Sequence, residues 1–167
     1  YLHILNQAQR YVYIMTPYLI LDAEMSNALQ YAAKRGIDVR IILPHIPDKR
    51  TAFALAKSHY RELANAGVKI YEYTPGFVHA KVFCSDDCKA VVGTINLDYR
   101  SLYHHYECAA YMYQTDCIAD IECDFEETLK NAQSNVDFDV YGHIDYVVRY
   151  GPNKNKYYTY ETYADVI

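Results

Sequence analysis

Val78-His79-Ala80-Lys81-Val82-Phe83-Cys84-Ser85-Asp86-Asp87, continued by Lys89-Ala90-Val91-Val92-Gly93-Thr94-Ile95-Asn96, decides how this chain is read. Side chains alternate between faces in extended backbone. A strand over 78–84 therefore puts His79, Lys81 and Phe83 on one face and Val78, Ala80, Val82 and Cys84 on the other. The apolar set can pack in a core while His79 and Lys81 point into a cleft. Ser85-Asp86-Asp87 has the composition of a turn. Residues 89–93, rich in β-branched valine, read as the returning strand. The hairpin makes the His79 strand and the Thr94–Asn96 segment neighbours. Glu107 falls on the next expected strand, 105–113, sharing a face with His105.

This inventory suits attack on a phosphodiester. A neutral imidazole nitrogen can attack phosphorus and form a covalent phosphohistidine. That splits one displacement into two, and the second acceptor can be water or an alcohol. Lys81 supplies a compact positive charge with three donors for a non-bridging oxygen. The Thr94 hydroxyl and the Asn96 amide can donate to the same oxygens. A carboxylate such as Glu107 can orient an imidazole through its other nitrogen. Cations and amides suffice for the electrostatic work, so no metal and no cofactor is expected. Taken singly, each residue is a weak signal: a strand histidine is most often structural, and Asp86 reads equally as a turn residue. Their joint spacing carries the reading. The chemistry ordinarily takes two histidines, and the motif holds one. His104 and His105 precede Glu107, but a surface or substrate-contacting role suits His105 better than that of the second histidine. For Arg100, a salt bridge or local cap is the default and headgroup binding the alternative.

The run His79-Ala80-Lys81-Val82-Phe83-Cys84-Ser85-Asp86, with Gly93-Thr94-Ile95-Asn96 behind it, resembles the HxKxxxxD signature and trailing G-[ST]-x-N of the phospholipase D superfamily. The longer run Gly93-Thr94-Ile95-Asn96-Leu97-Asp98-Tyr99-Arg100-Ser101, followed by Glu107, resembles the bacterial cardiolipin synthase branch. Thr16-Pro17-Tyr18 and Ala66-Gly67-Val68-Lys69-Ile70-Tyr71 do so too, and the likeness runs from about residue 1 to about residue 130. The resemblance implies an α/β, phospholipase D-like layered fold, with a mixed sheet flanked by helices. It implies that this chain is the C-terminal catalytic half of a longer enzyme, two halves sharing one active site. One histidine would be the nucleophile and the other would protonate the leaving alcohol. The implied reaction joins two phosphatidylglycerol molecules into cardiolipin and releases glycerol. By resemblance, His79, Lys81, Asn96 and Glu107 match catalytic positions, Thr94 the small hydroxyl position and Asp86 a structural one. The implied partners are phosphatidylglycerol or a related phospholipid, and a second motif from the same protein or a second copy. The implied setting is a bacterial cell membrane, with the catalytic domain on its cytoplasmic side.

Composition narrows the alternatives. At 167 residues the chain suits one principal domain. Its formal net charge of −5 disfavours a broad nucleic-acid surface. Together with the synthase-like run, that weighs against a nuclease. A single-motif phosphodiesterase or nuclease working as a homodimer is one alternative; a non-catalytic half that binds lipid or a partner is another. Five cysteines lack zinc-type spacing and read as reduced, small apolar residues. Cys84 and Cys88 flank the turn, but a disulfide there needs geometry to support it. No apolar run approaches the roughly 20 residues that span a bilayer.

Along the chain, helices are expected over 2–10, 23–35, 49–66 and 117–131. Asp22 is the candidate N-cap of the second and Gly36 its stop. Strands are expected over 11–18, 37–43 and 68–73, ahead of the hairpin. Residues 1–135 read as the catalytic domain. Residues 136–167 depart from the family pattern: they read as a Tyr-rich tail with strands 143–150 and 156–163 around Gly151-Pro152-Asn153-Lys154-Asn155.

Overall fold

Alternating apolar and polar stretches assemble into helices and strands in the computed structural model, which describes residues 1–133. The expected boundary at 135 and the tail hairpin lie outside the described residues. In chain order the elements are α1 (Leu2–Gln7), β1 (Tyr11–Met15), β2 (Leu19–Ile20), α2 (Ala23–Lys34), β3 (Asp38–Pro44), α3 (Arg50–Asn65), β4 (Lys69–Tyr73), β5 (Val82–Ser85), β6 (Lys89–Gly93) and β7 (Leu97–Asp98). A π-helical turn (Arg100–His104), β8 (Ala109–Tyr113) and α4 (Cys117–Gln133) follow. Six strands form one sheet in the order β4-β3-β1-β5-β6-β8. β4, β3 and β1 run parallel, while β5, β6 and β8 alternate antiparallel. The fold is the expected α/β class, a mixed sheet flanked by helices.

Strand alternation divides the core between the two sheet faces. Val12, Ile14, Val39, Ile41 and Phe83 pack with Ile4 and Leu5 of α1, Leu29 of α2 and Leu63 of α3. Tyr13, Met15, Ile42, Val82 and Cys84 face the other way, against Ile118, Phe125 and Leu129 of α4. At roughly 1.5–3 kcal/mol per fully buried large apolar side chain, these two layers hold the sheet. Asp22 caps α2, its Oδ1 accepting from the Met25 N–H at 2.7 Å. Gly36 follows at φ 90°, the left-handed conformation that ends a helix without a Cβ penalty.

Four boundaries differ from expectation: those of α1, β1 and the motif strand, and that of the last strand, which starts at Ala109 rather than His105 and leaves Glu107 ahead of it. α1 stops at Gln7, not 10, because Asp86 claims the N–H groups of Gln9, Arg10 and Tyr11. β1 stops at Met15, not 18: Pro17 has no N–H to donate, and the Thr16 hydroxyl bonds the Tyr18 carbonyl instead. Leu19–Ile20 then pairs in parallel with Leu97–Asp98, a two-stranded sheet that short apolar pairs do not announce. The motif strand begins at Val82 rather than Val78. Val82 lies opposite Met15, the last residue of β1, so His79–Lys81 have no partner on that side. The expected alternation survives nonetheless, with Val78 and Ala80 packed in the α4 layer.

Candidate active site

The antiparallel turns bring the start of β5, the end of β6 and the start of β8 to one edge of the sheet. His79 and Lys81 precede β5, Thr94 and Asn96 follow β6, and Glu107 precedes β8. That edge is also where parallel strands β1, β3 and β4 end, the usual location of ligand sites in such sheets. His79 is exposed, its ring stacked 5.7 Å from that of Phe77. Lys81 Nζ donates to the His79 carbonyl at 2.5 Å. Partial burial lowers the Lys81 pKa, and the nearby Glu107 charge works in the opposite direction.

Thr94 and Glu107 are joined directly. The Thr94 hydroxyl donates to Glu107 Oε2 and accepts from the Cys108 N–H at 3.0 Å. The Thr94 N–H donates to the Cys108 carbonyl at 2.9 Å. Gly93 makes this approach possible. A Cβ there would stand 2.3 Å from the Cys108 carbonyl oxygen and 2.5 Å from Ala109 Cα, so only glycine lets β8 come so close. Hydrogen bonds from Thr94 and Ser101 hold the Glu107 carboxyl below its ordinary range, and His105, with Nδ1 3.7 Å away, adds to the effect. Glu107 thus engages Thr94, Ser101 and His105; it makes no hydrogen bond to His79 here. Its expected task of orienting that imidazole is replaced by a link to the hydroxyl beside it.

Asn96 Nδ2 donates to Ser101 Oγ at 3.1 Å, leaving Oδ1 buried without a partner. Ser101 Oγ accepts this bond while its own proton goes to Glu107, so Asn96, Ser101 and Glu107 are linked in series. Ser101 is fixed in turn, its N–H donating to buried Asp98 at 2.8 Å. The π-helical turn that carries Ser101 has no counterpart among the expected elements. A π turn gives little sequence signal, being rare and concentrated at functional sites. Arg100 opens this turn and is exposed.

Asp86 sits at the opposite edge of the sheet. Its carboxylate accepts from the backbone N–H groups of Gln9 at 2.9 Å, Arg10 at 2.9 Å and Tyr11 at 3.1 Å. Burial alone would raise its pKa, but these three donors hold it below the usual range. Asp86 and Asp87 both adopt φ 57°, a conformation that Asp tolerates better than most residues. The HxKxxxxD spacing therefore equals the length of one short strand, with an exposed end at His79 and an anchored end at Asp86.

A cavity of about 480 Å³ opens beside Glu107 and Ser101, floored by Met25, Val91, Ile95 and Leu102. His79 and Lys81 lie outside its lining. The five cysteines are free. Among the described residues, no helix is long and apolar enough to cross a membrane.

Comparison with known proteins concerns the sequence and the fold. Residues 1–129 match the family model described as "Cardiolipin synthase, PLD-like domain". An uncharacterized protein of Streptococcus mutans is 72% identical over 133 residues, covering 80% of this chain and 29% of the relative. Cardiolipin synthase 2 of Bacillus anthracis is 43% identical over 132 residues, covering 79% of this chain and 26% of the relative. The chain thus spans under a third of these relatives' length. Among solved structures, the phospholipase D family member Nuc from Salmonella typhimurium aligns with a TM-score of 0.67 at 20% identity, covering 78% of this chain and 84% of that one. That likeness concerns the fold.

Proposed function

Because the chain belongs to the cardiolipin synthase, PLD-like domain family, we propose that it is one catalytic half of a phosphatidyl-transferring enzyme. It would join two phosphatidylglycerol molecules into cardiolipin with release of glycerol. Residues 1–135 would form the catalytic unit and supply one of two HxKxxxxD motifs. The second would come from elsewhere in the same protein or from a second copy. The parent enzyme would act at a bacterial membrane, this half lying on its cytoplasmic side.

One imidazole attacks phosphorus while its pair gives a proton to the departing glycerol oxygen. The paired imidazole then takes a proton from the acceptor hydroxyl, which attacks phosphorus and releases the first. His79 fills one of these two roles. Lys81 and the Asn96 amide hold the non-bridging oxygens, offsetting charge as it builds in the transition state. Glu107 fixes the Thr94 hydroxyl beside them. The observation that carries this reading is the convergence of His79, Lys81, Thr94, Asn96 and Glu107 on one sheet edge in a chain of synthase-like sequence. Glycerol release from phosphatidylglycerol by the intact enzyme carrying His79→Ala tests it. Turnover should fall by at least about 10⁴-fold with melting unchanged, since His79 is exposed. Activity within tenfold of the parent removes His79 from the mechanism.

A further inference from the structure

A second imidazole–carboxylate pair stands on the same sheet edge. His45 follows β3 directly and is nearly buried at 4% exposure, as is Glu72 of β4 at 9%. His45 Nδ1 lies 2.7 Å from Glu72 Oε2, and Lys57 Nζ lies 3.5 Å from Glu72 Oε1. Burial pushes the Glu72 pKa upward, but the His45 hydrogen bond and the Lys57 charge outweigh it, so the carboxylate is ionised. An ionised partner keeps a proton on Nδ1 whatever the charge of the ring. The His45 N–H is tied to the Tyr73 carbonyl at 3.1 Å and the ring packs edge-on against Phe53. Its backbone, rotamer and tautomer are thus fixed. Its Nε2 has no hydrogen-bond partner among the described residues.

Register places this nitrogen relative to the motif. Ile42, Met15 and Val82 lie side by side across β3, β1 and β5. His45 comes three residues after Ile42 and His79 three residues before Val82, so both extend a similar distance past that row. Two strand spacings separate them laterally, about 10 Å. A phosphoglycerol head group, together with the reach of two imidazoles, bridges such a span.

We propose that His45 is a positioning residue whose Nε2 binds a hydroxyl of the polyol head group, with Glu72 holding the ring. An alcohol suits this nitrogen better than a phosphate. A hydroxyl both donates and accepts, so it pairs with neutral or protonated Nε2, whereas a phosphate oxygen pairs only with the protonated form. The inference rests on the phosphatidyl-transfer reading above and adds a subsite for its alcohol.

The isosteres of histidine separate this role from a structural one. Asn at 45 places an amide nitrogen where Nδ1 stands, keeping the Glu72 bond and removing the Nε2 group. Gln reaches the Nε2 position and gives up the Glu72 bond. In the intact enzyme, His45→Asn should raise KM for a polyol acceptor about three- to tenfold, the worth of one hydrogen bond. Transfer of the same phosphatidyl group to methanol should stay unchanged. His45→Gln should recover part of the polyol preference. The reverse ranking, with Asn tolerated and Gln impaired for both acceptors, assigns His45 to structure alone and overturns the proposal, as does an unchanged polyol KM in His45→Asn. A parent enzyme that transfers to neither acceptor refutes the phosphatidyl-transfer reading itself. For that case, glycerol is titrated into this chain and followed by the His45 imidazole ¹⁵N resonances. A selective Nε2 shift, absent at His59, supports the subsite; no selective shift overturns it.

Discussion

At the Asp86 end of β5, one carboxylate receives three backbone N–H groups, while its neighbour Asp87 binds the Arg10 guanidinium and the Tyr11 hydroxyl. At the His79 end, four residues before Phe83, the imidazole has only a ring contact with Phe77 among the described residues. One motif spans both ends. The contrast teaches that its residues serve different purposes: the aspartate fastens the α1–β1 junction to the hairpin turn, and the histidine and lysine are left available.

The largest effect belongs to the available end. Lys81→Met in the intact enzyme should lower turnover about 10²- to 10³-fold, the usual cost of removing one electrostatic contact to a transition state. The melting temperature should move by less than about 2 °C, because the ammonium makes only a local bond to the His79 carbonyl. A loss of stability matching the loss of activity would break the division between the ends.

Gly93→Ala should affect both properties. Its Cβ would collide with the backbone of Cys108 and Ala109, and backbone cannot swing aside as a side chain can. Forcing β6 from β8 should cost about 1–3 kcal/mol. It should also part Thr94 from Glu107, lowering turnover beyond what unfolding explains. A denaturant titration beside an activity assay in the folded range checks both. Unaltered stability would mean that β8 does not sit so close.

Asp86→Ala should do the reverse of Lys81→Met. Loss of three charge-assisted bonds at a partly exposed carboxylate should cost about 1–3 kcal/mol after solvent screening, while turnover of the molecules that remain folded stays near that of the parent. The pH dependence has a definite sign. The folded-state pKa of Asp86 lies below its unfolded value of about 4. Its contribution is therefore complete above that value and disappears as pH falls through the lower folded one. The parent protein should lose more stability than Asp86→Ala between pH 4 and acid, as measured by thermal melts. Parallel loss in both would deny Asp86 its anchoring role.

Much of this was legible in the sequence, for physical reasons that differ by residue. The alternation Val78, Ala80, Val82, Cys84 foretold the layer beneath α4 because side-chain direction follows extended backbone even where the ladder is absent. Asp22 and Gly36 marked α2 because capping is local chemistry. The hairpin that brings Thr94 beside the motif followed from two apolar runs and a polar turn. What escaped notice depends on distant partners. The end of β1 at Met15 leaves His79 and Lys81 outside the ladder, which 78–84 alone does not reveal. The attachment of Glu107 to Thr94 rather than to His79 needed the close approach at Gly93. Ser101 stood within a recognised run, yet its role emerged only from the π-helical turn that points it at Asn96. His45 and Glu72 are 27 residues apart and carried no motif at all.

The central claim is that this chain holds half of a shared site. Glycerol release from phosphatidylglycerol vesicles by the purified chain tests it most directly, with folding verified by circular dichroism and the monomer by sedimentation. The account predicts no release above background from the monomer. Sustained release by the monomer at a rate comparable to the intact enzyme would contradict it.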